Sequence, residues 1–130
     1  MPEMWKWVVG AAIAASGALV MPGGVARDVA ALKARELVSA LAAGHPERAP
    51  VEWTAAMAKR LPTPLLREQW SALTREAGGL ERIGEIEVSP VDGRYRLVAV
   101  GLEFEREAVI ARVTFDSENR IAGLYFLPKE

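Results

Sequence analysis

The sequence predicts an α+β domain in which N-terminal helices pack on a four-stranded antiparallel sheet. Apolar residues recur at helical spacing as far as Gly79, and beyond it apolar and polar residues alternate as they do in strands. Hairpin-length turns join the strand-like segments, so neighbouring strands must run antiparallel. Helices followed by strands in this order are typical of the α+β class.

The first predicted helix begins at Asp28, whose short carboxylate side chain suits a helix N-cap. It runs to about Ala43 and stops at Gly44, because glycine readily ends a helix. Its apolar stripe consists of Ala30, Ala34, Leu37, Val38 and Leu41. This stripe predicts the face that packs on the core.

Two further helices follow a polar connection. The second is predicted to carry Pro50 in its first turn and to end before Pro62, with Trp53 and Met57 four residues apart. The third is predicted to have Thr63 as its N-cap, with Pro64 following, and to end at the glycine pair 78–79. Its apolar stripe consists of Leu66, Trp70, Leu73 and Ala77.

The strands are separated by turn signals. A first strand includes Ile86 and Val88, with a bulge expected at Gly84. A turn over 90–93 leads to a strand from about Arg94 to Phe104. The remaining predicted segments are a turn at 105–107, a strand through 109–115, a turn at 116–119 and a last strand at 121–127.

Both faces of this sheet are unusually apolar. One face carries Val98, Val100, Leu102 and Phe104. We expect the opposite face to carry apolar residues interleaved with charged ones: Leu97, Ala99, Ala108 and Ile110 with Arg96, Glu103 and Arg112. Such a face predicts either a sheet that wraps around the helices or a dimer that forms through the sheet.

The segment 1–26 has the composition of a signal peptide. Its only charged side chains are Glu3 and Lys6, and its apolar run is shorter than the roughly 20 residues that span a bilayer. Gly24 and Ala26 form a small-x-small pattern, so we predict cleavage after Ala26. Residues 27–130 would then form the exported domain, in the periplasm or outside the cell.

Two alternatives remain open for the N-terminal segment. It could stay uncleaved as a membrane anchor, with Trp5 and Trp7 at the membrane interface, and would then be the domain's only membrane contact. It could also form a buried N-terminal helix, because alanine-rich segments form helices readily.

Composition excludes several kinds of site. The formal net charge of −1 argues against a nucleic-acid partner, and the absence of cysteine excludes disulfides and thiolate chemistry. The single histidine, His45, follows a helix stop and precedes a proline, which favours an exposed loop over a catalytic base. Tyr95 and Glu103 would lie about 27 Å apart along one strand, so they cannot form a catalytic pair. We therefore expect no catalytic residues, no metal and no cofactor.

Four side chains are candidates for lining a ligand pocket between helices and sheet. They combine aromatic or apolar surface with polar edges, which suits the wall of such a pocket: Trp53, Met57, Trp70 and Tyr125. The simpler interpretation is that Trp53, Met57 and Trp70 fill the core.

Several segments resemble a bacterial exported family, domain of unknown function 3887. The matching segments are 34–38, 41–44, 57–62, Leu66, Trp70, Gly79, 113–116 and 121–128. The resemblance implies a cystatin-like or nuclear-transport-factor-2-like fold. Members often lie between a signal peptide and an α/β-hydrolase domain, so it also implies an envelope partner such as a separately encoded hydrolase. Gly44-His45-Pro46 departs from the family, which tends to carry Gly-Asp-aromatic there.

Together these features predict an exported, non-enzymatic domain that acts by association. It would form a homodimer through its sheet or serve as an accessory module for an envelope protein. The alternative is a small-molecule-binding or lyase- or isomerase-like protein that uses a cone-shaped pocket between helices and sheet.

Overall fold

The computed structural model describes residues 8–10, 28–92 and 94–129, and shows helices packed on one face of a β-sheet. The helices are α1 (Val29–Ala42), α2 (Ala55–Arg60) and α3 (Thr63–Ala77). The strands are β1 (Val8–Gly10), β2 (Glu52–Trp53), β3 (Leu80–Asp92), β4 (Tyr95–Phe104), β5 (Ala108–Phe115) and β6 (Arg120–Pro128). The predicted α+β class is confirmed.

The sheet is larger than predicted and it is mixed. Strands β3 to β6 form the expected antiparallel meander, in the order β6-β5-β4-β3. Two short strands also pair with β6: β1 is antiparallel to it and β2 is parallel to it. The prediction of a four-stranded, wholly antiparallel sheet was therefore wrong. Strands of two or three residues are too short to show the alternation from which strands are recognised.

Helix α1 has the predicted caps. The Asp28 carboxylate accepts hydrogen bonds from the backbone amides of Ala30, at 2.8 Å, and Ala31, at 3.2 Å. Gly44 follows the helix with a φ of 86°, a conformation that glycine adopts without strain. The predicted stripe faces the core, where Ala34 and Leu37 are fully buried.

The second helix is shorter than predicted and begins at Ala55. Residues 46–48 form a separate turn of 3-10 helix, and Trp53 lies in β2, where it pairs with Ile121. Thr54 is the true N-cap, since its hydroxyl accepts a hydrogen bond from the Met57 amide at 3.2 Å. Pro50 does not begin a helix, because the residues that soon follow it, Glu52 and Trp53, pair with β6. Local spacing does not reveal this pairing.

Helix α3 begins at Thr63 itself, with Pro62 in the N-cap position where Thr63 had been predicted. Its predicted end at Gly78 is confirmed. The turn between β4 and β5 packs against this end: the Arg106 guanidinium donates hydrogen bonds to the carbonyls of Arg75, at 3.0 Å, and Glu76, at 3.2 Å. These bonds satisfy carbonyls that a helix end leaves unpaired.

Strand β3 is longer than predicted. It continues through Asp92, which pairs with Tyr95, so the predicted turn over 90–93 was too long. Pro90 pairs with Arg96 within the strand, where a proline is tolerated because β3 lies at the edge of the sheet. The register shifts between Ile83 and Ile86, which confirms the bulge expected at Gly84.

The core lies between the helices and the inner face of the sheet. The largest fully buried side chains include Phe115, Leu37, Leu41, Met57, Leu66, Leu73, Leu102 and Ile121. Apolar burial on this scale is the main stabilising contribution to the fold.

The predicted signal peptide and its cleavage position lie outside the described residues, apart from Val8–Gly10 in β1. Within the described ranges, none of the helices combines the length and the apolar content needed to cross a membrane.

Candidate functional site

Two of the four predicted pocket residues, Met57 and Trp70, lie in the core. Met57 is 1% exposed and Trp70 is 9% exposed. The Trp70 ring makes tilted contacts with Phe104, at a centroid distance of 5.6 Å, and with Phe126, at 5.9 Å. Rings tilted at such distances attract each other beyond the effect of burial alone. Trp70 therefore joins α3 to strands β4 and β6.

Trp53 lies apart from them, in β2, half-buried against the edge of the core. It lines a cleft of about 280 Å³, and the other lining residues are Pro46, Glu47, Ala49, Val51, Ala58, Leu61, Pro62, Thr63 and Leu66. Neither Met57 nor Trp70 lines this cleft.

Tyr125 projects from the other side of the sheet, because its neighbours Leu124 and Phe126 are buried in the core and side chains alternate along a strand. Burial raises the pKa of the Tyr125 hydroxyl above its ordinary value, although the positive charges of Arg112 and Arg60 act in the opposite direction. The structure thus separates Tyr125 from Met57 and Trp70 by the thickness of the sheet.

We define the outer face by the residues that alternate with the core residues on β3 to β6. Its members include Glu87, Leu97, Ala99, Gly101, Glu103, Ala108, Ile110, Arg112, Tyr125 and Leu127, with the buried Ser89 and Thr114. Ala99, Ile110 and Leu127 are each partly exposed, while Glu87 and Arg112 are exposed. The apolar and charged character expected for this face is therefore present. Arg96 was also expected on this face, but its guanidinium forms an ion pair with Asp28 at the start of α1. The prediction that Arg96 lies on the outer face was therefore wrong.

One row of the outer face carries opposite charges on either side of an alanine. Glu87 pairs with Ala99 across β3 and β4, and Ala99 pairs with Arg112 across β4 and β5. Since neighbouring strands are about 4.8 Å apart, Glu87 and Arg112 are separated by about 10 Å at the backbone. Within the described part of the chain, neither side chain takes part in an ion pair.

A groove of about 890 Å³ lies on the acidic half of this face. Its floor contains Gly84, Ala99 and Gly101, where small residues leave the backbone close to the surface. Glu85 and Glu87 line it, and Arg112 does not. In the neighbouring row of the face, Leu97 pairs with Ser89 on β3 and with Thr114 on β5. Ser89 and Thr114 are buried, so the more accessible part of the face is the part next to the groove.

Some charged residues around the groove are already paired. Arg82 forms an ion pair with Glu103. Arg106 is bound to the end of α3, as described above. Glu87 and Arg112 differ from these because their charges are directed to the surface without a partner among the described residues.

His45 lies in an exposed connection, as the sequence predicts. Its Nδ1 is 3.5 Å from a carboxylate oxygen of Glu47, and the other carboxylate oxygen accepts a hydrogen bond from Arg67 at 2.6 Å. The pKa of the Glu47 carboxyl is lowered by a hydrogen bond from its own backbone amide, by Arg67 and by His45. This cluster joins the 3-10 turn to α3. Across the described residues, no group of three or more acidic or histidine side chains is placed to hold a metal ion.

Sequence reasoning placed a bulge at Gly84, but it did not single out Gly84, Glu87 or Gly101 as residues of a site. Each belongs to the groove because of cross-strand register, which depends on the bulge and on the exact position of the β3–β4 turn. The alternation of charged and apolar residues in β3 was the available signal, but it does not show which residue of β4 or β5 lies alongside.

A sheet with helices packed on one of its faces defines a small α+β domain. The chain belongs to the family described as "Protein of unknown function (DUF3887)", which matches residues 34–124, well over half of its length. This confirms the family resemblance. No curated protein and no solved structure gives a significant match to the chain.

Proposed function

We propose that this domain acts by association rather than by catalysis, and that it self-associates through the outer face. The single observation that carries the proposal is the row Glu87–Ala99–Arg112, bordered by the partly exposed Ile110 and Leu127. Apolar side chains rimmed by charges of both signs are typical of a protein interface.

The edges of the sheet are less suitable for association than its face. At one edge, β3 has three irregularities in register, carries Pro90 and exposes several glutamates, all features that discourage pairing with another strand. At the other edge, β1 and β2 pair with successive parts of β6. A second molecule is therefore more readily accommodated against the face.

The finer assignments of fold and compartment are part of this proposal. The helices on the inner face of an antiparallel meander support a cystatin-like or nuclear-transport-factor-2-like fold. The composition of residues 1–26 supports export, with cleavage after Ala26. An envelope protein such as a separately encoded α/β-hydrolase is a further candidate partner for the same face.

Self-association is tested by light scattering coupled to size exclusion on the 130-residue chain, from low to high micromolar concentration. We expect a concentration-dependent dimer, and we expect Ile110→Glu to shift it to monomer by placing a carboxylate in the interface. Leu65→Glu is the matched control, because Leu65 is exposed on α3, away from the sheet. A chain that stays monomeric throughout would contradict the proposal.

Export is tested separately by expressing the chain with a C-terminal tag in a bacterial host and fractionating the cells. We expect tagged protein in the periplasm or medium, with Arg27 as its first residue. Ala26→Leu should block processing by placing a large side chain at the peptidase subsite. A tagged protein found only in the cytoplasm, with its original N-terminus, would exclude export.

Small-molecule binding is the second candidate, and the cleft beside Trp53 is the observation that favours it. Its volume of about 280 Å³ lies just below the range for ligand pockets, about 300–1,000 Å³. The fluorescent probe anilinonaphthalene sulfonate, whose aromatic rings bind to apolar surface, should bind the folded chain and lose affinity in Trp53→Ala. Equal binding to the wild type and the variant would exclude this cleft as the site.

A further inference from the structure

We infer that the partner on the outer face is a second copy of this chain, docked about a twofold axis that runs along β4 at Ala99. In this arrangement Glu87 of each copy pairs with Arg112 of the other. The inference rests on the proposed self-association and specifies its geometry.

The row itself selects this axis. Glu87 and Arg112 lie one strand to either side of Ala99, so they are equidistant from β4 and carry opposite charges. Rotation by 180° about a line along β4 brings β3 of one copy over β5 of the other. Each Glu87 then faces an Arg112, and both contacts form at once, as required for an interface that uses the same patch on both copies.

The alternative axis, across the strands, is disfavoured by the same charges. It would leave β3 over β3 and β5 over β5, so Glu87 would face Glu87 and Arg112 would face Arg112. Like charges brought together at an interface oppose association. Charge complementarity therefore distinguishes the two symmetric ways of stacking this face.

The shape of the face fits the same axis. Ala99 and Gly101 lie at the middle of the axis, and neither has a long side chain. Leu97 and Glu103 flank them on the same strand, and the charge of Glu103 is offset by its ion pair with Arg82 of the same chain. Ile110 of each copy lies over the part of the partner's β3 that includes Gly84, on the floor of the groove. The axis also keeps the strands of the two copies aligned, which is one of the two common ways in which sheets stack.

Two charge reversals test the pairing. In Glu87→Arg, both intermolecular contacts join two arginines, and in Arg112→Glu both join two glutamates. We expect each variant alone to dimerise at least about tenfold more weakly than the wild type. We expect salt to strengthen the dimer of either variant and to weaken that of the wild type, since screening reduces repulsion and attraction alike.

Mixing the two variants tests whether restoring both attractive contacts restores the dimer. In a mixed dimer, the arginine introduced at position 87 meets the glutamate introduced at position 112, and the native Glu87 meets the native Arg112. We therefore expect the mixture to form a heterodimer about as tightly as the wild type, because both attractive contacts are restored. Glu68→Arg and Arg35→Glu, at exposed positions on the helices, provide matched changes of charge and should leave dimerisation unchanged.

The outcomes separate this inference from the proposed function. If the wild type dimerises and Ile110→Glu dissociates it, but Glu87→Arg and Arg112→Glu alone dimerise as tightly as the wild type, the face is correct and the axis is wrong, because the alternative axis already brings like charges together in the wild type. If the wild type is monomeric at every concentration, both proposals are wrong. Weaker dimerisation of each variant alone, restored to the wild-type level in the mixture, supports both.

Discussion

Asp28 joins the start of α1 to β4 through Arg96. One carboxylate oxygen of Asp28 caps the helix, and the other accepts a hydrogen bond from the Arg96 guanidinium at 2.8 Å. The Asp28 side chain is 13% exposed and that of Arg96 is 49% exposed. One side chain thus fixes both the beginning of the helix and its position against the sheet, 68 residues later in the chain.

We predict that Asp28→Ala lowers the free energy of unfolding by about 1–2 kcal/mol, because two helix amides lose their acceptor. Arg96→Ala should cost less than about 1 kcal/mol, since its partner remains engaged in the cap and Arg96 is half-exposed. Urea denaturation followed by circular dichroism measures both. Asp28→Asn is the control, because it keeps a capping oxygen and removes only the charge. A loss in Asp28→Asn as large as in Asp28→Ala would show that the ion pair dominates.

Gly78 and Gly44 offer a matched pair of glycines with positive φ. Gly78 has a φ of 90°, and a Cβ there would lie 2.6 Å from the Cβ of Glu105, whereas Gly44 has a φ of 86° with nothing within 4 Å. We predict that Gly44→Ala costs about 1 kcal/mol from backbone strain alone. Gly78→Ala should cost clearly more, because the turn at Glu105 must also move. Thermal unfolding of both variants compares them, and equal losses would contradict a role for the contact with Glu105.

Trp70 provides the aromatic contact between α3 and the sheet. We predict that Trp70→Ala destabilises the domain by about 3–5 kcal/mol, because it leaves a cavity beside Phe104 and Phe126. Trp70→Phe should cost less, since most of the space stays filled. Trp53→Phe is the matched control at a half-buried tryptophan and should have the smallest effect. Guanidinium denaturation measures all three, and a Trp70→Ala loss below that of Trp53→Phe would contradict the assignment of Trp70 to the core.

Asp116 makes the β5–β6 turn sensitive to acid. Burial acts to raise the pKa of its carboxyl, but hydrogen bonds from the backbone amides of Arg120 and Glu118 and from the Arg120 side chain outweigh burial and lower it. Because the pKa of Asp116 is lowered by folding, its carboxylate stabilises the folded chain fully at pH values above the pKa of the unfolded chain, about 3.9. This stabilisation is lost as the pH falls through the pKa of the folded chain.

We therefore predict that Asp116→Asn is less stable than the wild type near neutral pH, and that this difference shrinks as the pH falls below about 4. Urea denaturation over a pH series measures it. Glu118→Gln, in the same turn but with a side chain that is 70% exposed, is the control and should show little difference. A difference for Asp116→Asn that grows on acidification would contradict a lowered pKa of Asp116.

The elements that the sequence predicts well are those whose signals are local. The Asp28 cap, the Gly44 and Gly78 stops and the apolar stripes of α1 and α3 all arise within a few residues of one another, and the structure confirms them. The long strands β4 to β6 are likewise recognisable, because each is at least eight residues long, contains alternating residues and is separated from the next by a turn.

The start of the second helix was predicted wrongly because it depends on a contact that is distant in the sequence. Trp53 has helical spacing to Met57, yet it lies in β2 because pairing with Ile121 outweighs local propensity.

The four pocket candidates do not lie together in one site, for a related reason. Their residue types suit a ligand site, but only the packing decides that Met57 and Trp70 face the core, Trp53 lines an edge cleft and Tyr125 faces outward.

By itself, the sequence determined the α+β class, the family, the composition of the two sheet faces and the bounds of the elements with strong caps. Only the tertiary structure decided that Glu87, Ala99 and Arg112 form one row. Register across three strands depends on the bulge at Gly84 and on a turn that begins after Asp92. A shift of one residue at either place would move every side chain of a strand to the opposite face. The apolar content of the sheet is a local property, whereas its pattern of charges depends on register.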